Sequence, residues 1–118
     1  HLDKGNDNGR FRWFFDNAKA NNVKYDVIGM SYYPYWLESD YKVTIADLQN
    51  NLNDMVSRYG KEVMVVEVGG DYTLEQNTHD MIAAVIKAVK AVPNNKGRIQ
   101  RVIYDEKDFI LKKVKSIQ

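Results

Sequence analysis

Residues 61–70, Lys-Glu-Val-Met-Val-Val-Glu-Val-Gly-Gly, constrain the fold more than any other stretch of the chain. Val63, Met64, Val65 and Val66 run without a break into the carboxylate of Glu67, and Val68, Gly69 and Gly70 follow. A short continuous apolar run bounded by turn signals predicts a strand buried on both faces, the kind found in parallel sheets. A carboxylate at the end of such a strand stands where barrels and open α/β sheets place their chemistry. The two glycines are expected to let the backbone turn sharply and to keep bulk away from the carboxylate. The plainer alternative for Glu67 is a solvated side chain that closes a core strand.

The remaining segments alternate in the same sense. Residues 1–9 are polar, contain glycine and show no periodicity, so they read as a loop, with Asp7 or Asn8 placed to cap a helix. Phe11, Phe14, Phe15 and Ala18 recur at helical spacing with Trp13 beside them; core packing is the expectation for Trp13, and Asn21-Asn22 ends the helix. Residues 25–31 form a second buried-strand pattern, and the aromatic stretch Tyr32-Tyr33-Pro34-Tyr35-Trp36 leaves it; Pro34 cannot continue a central ladder. Thr44-Ile45-Ala46-Asp47 resembles a capping box, Leu48, Leu52, Met55, Val56 and Tyr59 give an apolar face, and Gly60 is placed to stop that helix. Thr73-Leu74-Glu75-Gln76 is a second capping-box pattern before a stripe of Met81, Ile82, Val85, Ile86 and Val89. Residues 99–104 predict a weaker strand and residues 108–117 a short basic helix. Helices alternating with strands predict an α/β fold with a parallel sheet, in which loops after the strands share one edge. Tyr33, Trp36 and Glu67 should therefore face a common space, which His1 and Asp3 join if they follow a further strand.

Composition excludes several functions. A formal net charge of +1 over 118 residues gives no electrostatic case for nucleic acid or an anionic membrane. There is no cysteine for a disulfide framework or a thiolate metal site. The two histidines, His1 and His79, lie too far apart in sequence to form a metal-ligand spacing, so neither metal nor other cofactor is expected. His79, beside Asp80, reads as a solvated histidine. No run approaches transmembrane length, no signal peptide is present, and no glycine-rich phosphate loop follows a strand.

Three motifs together carry a resemblance: His1-Leu2-Asp3-Lys4-Gly5, then Gly29-Met30-Ser31-Tyr32-Tyr33-Pro34-Tyr35, then Val65-Val66-Glu67. Their order and spacing resemble the carboxyl-terminal half of family 53 glycoside hydrolases, arabinogalactan endo-β-1,4-galactanases with a (β/α)8 TIM barrel. The likeness runs over residues 1–97; residues 98–118 form a divergent tail. The resemblance implies a partial (β/α)8 barrel, with Glu67 as catalytic nucleophile at the end of the seventh strand and Tyr33 as the sixth-strand tyrosine that contacts it. His1 and Asp3 match the loop that helps line the sugar cleft. Trp36 is a further substrate-binding candidate, with core packing as its alternative. The family's acid/base glutamate lies in an Asn-Glu motif that precedes the matched residues and is absent here. Residues 102–106, Val-Ile-Tyr-Asp-Glu, lack the tryptophan and proline of the family's eighth strand, and Glu106 is a weak surrogate acid. The implied substrate is β-1,4-galactan or arabinogalactan, and the implied location secreted or cell-envelope.

Retaining hydrolysis needs two carboxyl groups roughly 5–5.5 Å apart, one attacking the anomeric carbon and the other protonating the departing oxygen. Glu67 suits the first role, and a tyrosine hydroxyl donating to it would fix its orientation. Two other readings stand beside this one: a catalytically silent α/β fragment that at most binds sugar, and a flavodoxin-like open sheet without sugar function. A half-barrel would also leave strand edges open, at residues 27–30 on one side and 99–104 on the other, so self-association through those edges is expected.

Overall fold

The structure is a computed structural model that describes residues 1–37 and 40–93. Helix α1 spans Asn8–Ala20, strand β1 Val27–Tyr32, helix α2 Tyr41–Tyr59, strand β2 Glu62–Val68 and helix α3 Glu75–Lys90, with a 3-10 turn at Pro34–Leu37. The strand expected at 99–104, the helix expected at 108–117 and Glu106 lie outside the described residues.

The two strands pair in parallel from Val27 opposite Glu62 to Tyr32 opposite Val68, and α2 makes the long connection that parallel neighbours need. The amino-terminal loop contributes a third line of pairing. Leu2 bridges Met30 in parallel; its amide donates to the Gly29 carbonyl at 3.1 Å and its carbonyl accepts from the Ser31 amide at 2.9 Å. The Gly5 amide then donates to the Ser31 carbonyl at 2.8 Å. The β1 edge expected to be open is thus paired at Gly29 and Ser31.

Alternation sorts the strand residues. Ile28, Met30 and Tyr32 of β1 and Val63, Val65 and Val68 of β2 are buried in one core with Phe11 and Phe15 of α1, Leu48, Leu52 and Met55 of α2, and the α3 stripe. Met64 and Val66, on the opposite face, are only half-buried. The expectation of equal burial on both faces of β2 is corrected: the helices cover one face.

The helix boundaries also differ from the sequence reading. Helix α2 begins three residues before Thr44, capped by Asp40, whose side chain accepts from the Lys42 amide at 2.9 Å. Thr44 is inside the helix, with its hydroxyl 2.7 Å from the buried Tyr32 hydroxyl. Thr73 does not cap α3; its hydroxyl and amide both donate to Asp71. Trp13 is 70% exposed, not core. Two residues past Phe11 is about 200° around a helix, so Trp13 points away from the face shared by Phe11, Phe15 and Ala18. Neither Gly69 nor Gly70 has a positive φ. Gly70 is bare because a Cβ there would stand 2.6 Å from the Thr78 hydroxyl, which itself donates to the Asp71 carbonyl at 2.7 Å.

One irregularity positions the site. Met30 lies opposite Val65, but Ser31 lies opposite Glu67, so Val66 is an extra residue on β2. Strict alternation would put Glu67 with Val63 and Val65, inside the helix-covered core. The bulge returns it to the face of Gly29 and Ser31. Gly29 makes room: a Cβ at that position would stand 3.1 Å from Val66 Cγ1.

Two predictions follow from this packing. Gly29→Ala should destabilise the chain by about 1–3 kcal/mol through overpacking against Val66, read by urea denaturation. The cost should shrink in a Val66→Ala background; an equal cost in both backgrounds would remove the contact as its cause. The second concerns the α1–α2 seam. Arg58 donates twice to Asp16 at 2.9 Å and Tyr59 donates at 2.6 Å, which holds the Asp16 carboxyl down at about 2. An unfolded Asp titrates at about 4, so the folded state takes up this proton at lower pH. The contribution is full above about pH 4 and is lost as pH falls through about 2. The Tm gap between wild type and Asp16→Asn should close over that window and narrow with salt, because the pair is exposed. A gap that stays constant down to pH 2 would refute the assignment.

Candidate active site

The site is built where β1 and β2 end. Along β1, Tyr32 turns to the helices, where burial pushes its hydroxyl up to about 12. Ser31 and Tyr33 take the other side. Ser31 is 2% exposed, yet its neighbours give its hydroxyl partners. Its Oγ donates to Glu67 Oε2 at 3.2 Å, and the Tyr33 hydroxyl donates to the same oxygen at 3.1 Å. His1 Nε2 lies 2.6 Å from Ser31 Oγ. Three segments far apart in sequence therefore converge on one carboxylate: the Leu2 bridge brings His1, the end of β1 brings Ser31 and Tyr33, and the bulge brings Glu67.

The other expected residues are placed as follows. Asp3 pairs with Arg10 of α1 at 2.7 Å. Trp36 lies in the 3-10 turn after β1. His79 Nδ1 is 3.2 Å from Asp80 Oδ1 on α3. Ser31 was not singled out by sequence, although the signal was there. In a run that alternates Ile28, Met30 and Tyr32 with Gly29, Ser31 and Tyr33, the second set is a small and polar face within an otherwise buried strand. At the same edge, the loops after the strands meet at Asp71. Hydrogen bonds from the Thr73 hydroxyl and amide, and from Tyr35, hold the Asp71 carboxyl below the usual carboxylate range.

Chemically, Glu67 is a carboxylate anchored through one oxygen. Both hydroxyl donors fall on Oε2, and among the described residues Oε1 accepts no hydrogen bond. Neither donor carries a charge, so the carboxylate is oriented without being neutralised. That combination suits a group that must present a negative oxygen to an electron-poor carbon.

Comparison with known proteins gives a consistent relationship. The sequence profile of Glycosyl hydrolase family 53 matches residues 1–80. An uncharacterized protein of Niallia circulans is 45% identical over 76 residues, covering 64% of this chain and 19% of that protein. The arabinogalactan endo-β-1,4-galactanase of Cellvibrio japonicus is 43% identical over 63 residues, 52% of this chain and 16% of that one. A probable arabinogalactan endo-β-1,4-galactanase A of Aspergillus oryzae is 41% identical over 71 residues, 57% of this chain and 20% of that one. The chain thus spans at most 20% of the length of these three relatives. A solved fungal β-1,4-galactanase structure superposes with a TM-score of 0.68 at 26% identity, covering 88% of this chain and 36% of that chain. No helix among the described residues is long and apolar enough to cross a membrane. With its parallel α/β core and a profile match over residues 1–80 of 118, the chain belongs to Glycosyl hydrolase family 53.

Proposed function

We propose that this chain supplies the nucleophile half of a retaining endo-β-1,4-galactanase, with Glu67 as the nucleophile. The observation that carries the reading is the pair of hydroxyls, from Ser31 and Tyr33, on Glu67 Oε2 at the carboxyl-terminal edge of a parallel sheet. Strands β1 and β2 are then the sixth and seventh strands of a (β/α)8 barrel, and Leu2 marks the end of the fifth. Oε1 attacks the anomeric carbon as the bond to the departing sugar oxygen breaks. A second carboxyl group, supplied by an earlier strand of the complete barrel, protonates that oxygen and then activates the water that hydrolyses the glycosyl-enzyme, freeing the sugar and Glu67. The substrate is β-1,4-galactan or arabinogalactan, as the names of the relatives indicate, and a polymer of that size places the enzyme outside the cell or at its envelope. Trp36, on the loop after β1, is offered as a sugar platform. Asp3, exposed beside Arg10, is offered as a further sugar contact.

The short span relative to its family supports a second statement: the 118-residue chain alone is catalytically silent. Loss of general acid help removes about 10²–10⁴-fold in rate. The isolated chain should release no sized oligosaccharides from galactan, and product formation would overturn this statement.

Two substitutions test the assignment in a family 53 barrel carrying this segment. Glu67→Gln should lower kcat on galactan by about 10³-fold or more, the scale on which a missing nucleophile is felt. Near-normal turnover would remove Glu67 from the role. Tyr33→Phe deletes one hydrogen bond to a charged oxygen, worth about 1.5–3 kcal/mol, and should lower kcat by about 10–100-fold. A change confined to KM would instead make Tyr33 a sugar contact.

A further inference from the structure

We infer that His1 is a positioning residue that acts through Ser31 to fix the orientation of Glu67. The inference rests on the reading of Glu67 as nucleophile for its catalytic meaning, but the hydrogen-bond chain stands on geometry alone.

A serine hydroxyl has one proton to give. An ionised carboxylate is acceptor-only, so the Ser31 contact to Glu67 Oε2 at 3.2 Å uses that proton. Ser31 Oγ must then accept at its other contact, where His1 Nε2 stands 2.6 Å away. A bare ring nitrogen at that distance would set lone pair against lone pair. Both contacts are satisfied together only if Nε2 carries hydrogen, and the donation runs from His1 to Ser31 to Glu67. Successive bonds of this kind polarise one another, so the first strengthens the second.

The backbone shows that this is a built arrangement rather than a chance contact of an exposed ring. The Leu2 amide and carbonyl bond Gly29 and Ser31 on either side of Met30, which sets the residue before Leu2 over the Gly29–Ser31 face. A Cβ on Gly29 would stand 3.7 Å from His1 Cβ, ordinary contact distance, which places His1 over the Gly29 position beside Ser31. With His1 in place, Ser31 is buried, and the ring is its cover on that side. The consequence for catalysis is control of angle. With Oε2 held by Ser31 and Tyr33, Oε1 has one direction of approach to the anomeric carbon, and misplacement on the scale of an ångström is felt at about the 10²-fold level. His1 thereby differs from a residue that touches sugar directly.

Two readouts test this. In the 118-residue chain with ¹⁵N-labelled histidine, NMR should show a protected ring proton on His1 Nε2. It should vanish in Ser31→Ala while the His79 signals stay in place. Absence of that proton in the wild type, its presence on Nδ1 instead, or its survival in Ser31→Ala would overturn the inference. In a family 53 barrel carrying this segment, His1→Ala and Ser31→Ala should each lower kcat about tenfold with KM nearly unchanged. His1→Gln, which keeps an N–H donor, should recover much of the loss, and the double variant should be little worse than Ser31→Ala alone. A rise in KM with kcat intact for His1→Ala would make His1 a sugar contact and refute the positioning role. If Glu67→Gln retained turnover while the Nε2 proton behaved as expected, the nucleophile assignment would fall and the hydrogen-bond chain would remain.

Discussion

A single extra residue, Val66, decides which side of the sheet Glu67 faces, and the site depends on that choice. Without the bulge, the carboxylate would follow Val63 and Val65 into the helix-covered core, where an unpaired charge costs several kcal/mol or more. With it, Val65 and Val68 both stay buried, and Glu67 comes out opposite Ser31. The bulge therefore reconciles two demands that a regular strand cannot meet together: a dry apolar face for the helices and a charged residue one step from that face. Its room comes from the neighbouring strand, because Gly29 presents no Cβ where Val66 packs.

The parts of the fold that were legible in the sequence are those set by burial period. The stripe on α3, the Phe11–Phe15 spacing on α1 and the two apolar runs that became β1 and β2 each encode one buried face. Trp13 neighbours the phenylalanines in sequence but not on their helix face, and proximity alone does not give burial. A Thr followed by an acidic residue is only a local signal for a helix start. Asp40 instead accepts from the Lys42 amide, one turn earlier, and Asp71 takes the Thr73 amide and hydroxyl.

The candidate site was legible in its main member and not in its arrangement. Glu67 announces itself as a charge at the end of an apolar run. Tyr33 was recognisable from a motif, but the oxygen it bonds was not. The bulge carries no glycine or proline to mark it, since it arises from the pairing of two strands rather than from either alone. Ser31 shows how a functional residue hides within regular structure. Its small side chain looks like filler in a core strand until the alternation is followed to the opposite face.

The loop that carries His1 is held from two directions, and this ties the site to the helix layer. On the sheet side, the Gly5 amide donates to Ser31, the residue whose hydroxyl reaches Glu67. On the helix side, the fully buried Asn51 of α2 donates to the Gly5 carbonyl at 2.8 Å and accepts from Asn8 at 3.0 Å. A buried amide in a helix is costly unless it is bonded, and here its bonds fall on the loop and on the start of α1. Arg12 then reaches from α1 to Asp54 one turn along α2, at 2.7 and 2.8 Å. That ion pair is exposed on the Arg12 side and contributes little by itself, but it joins the start of α1 to the same stretch of α2. A disturbance at Asn51 would thus act on the same backbone that positions Leu2 and His1. The placement of the groups around Glu67 depends on α2 as well as on the strand on which it sits.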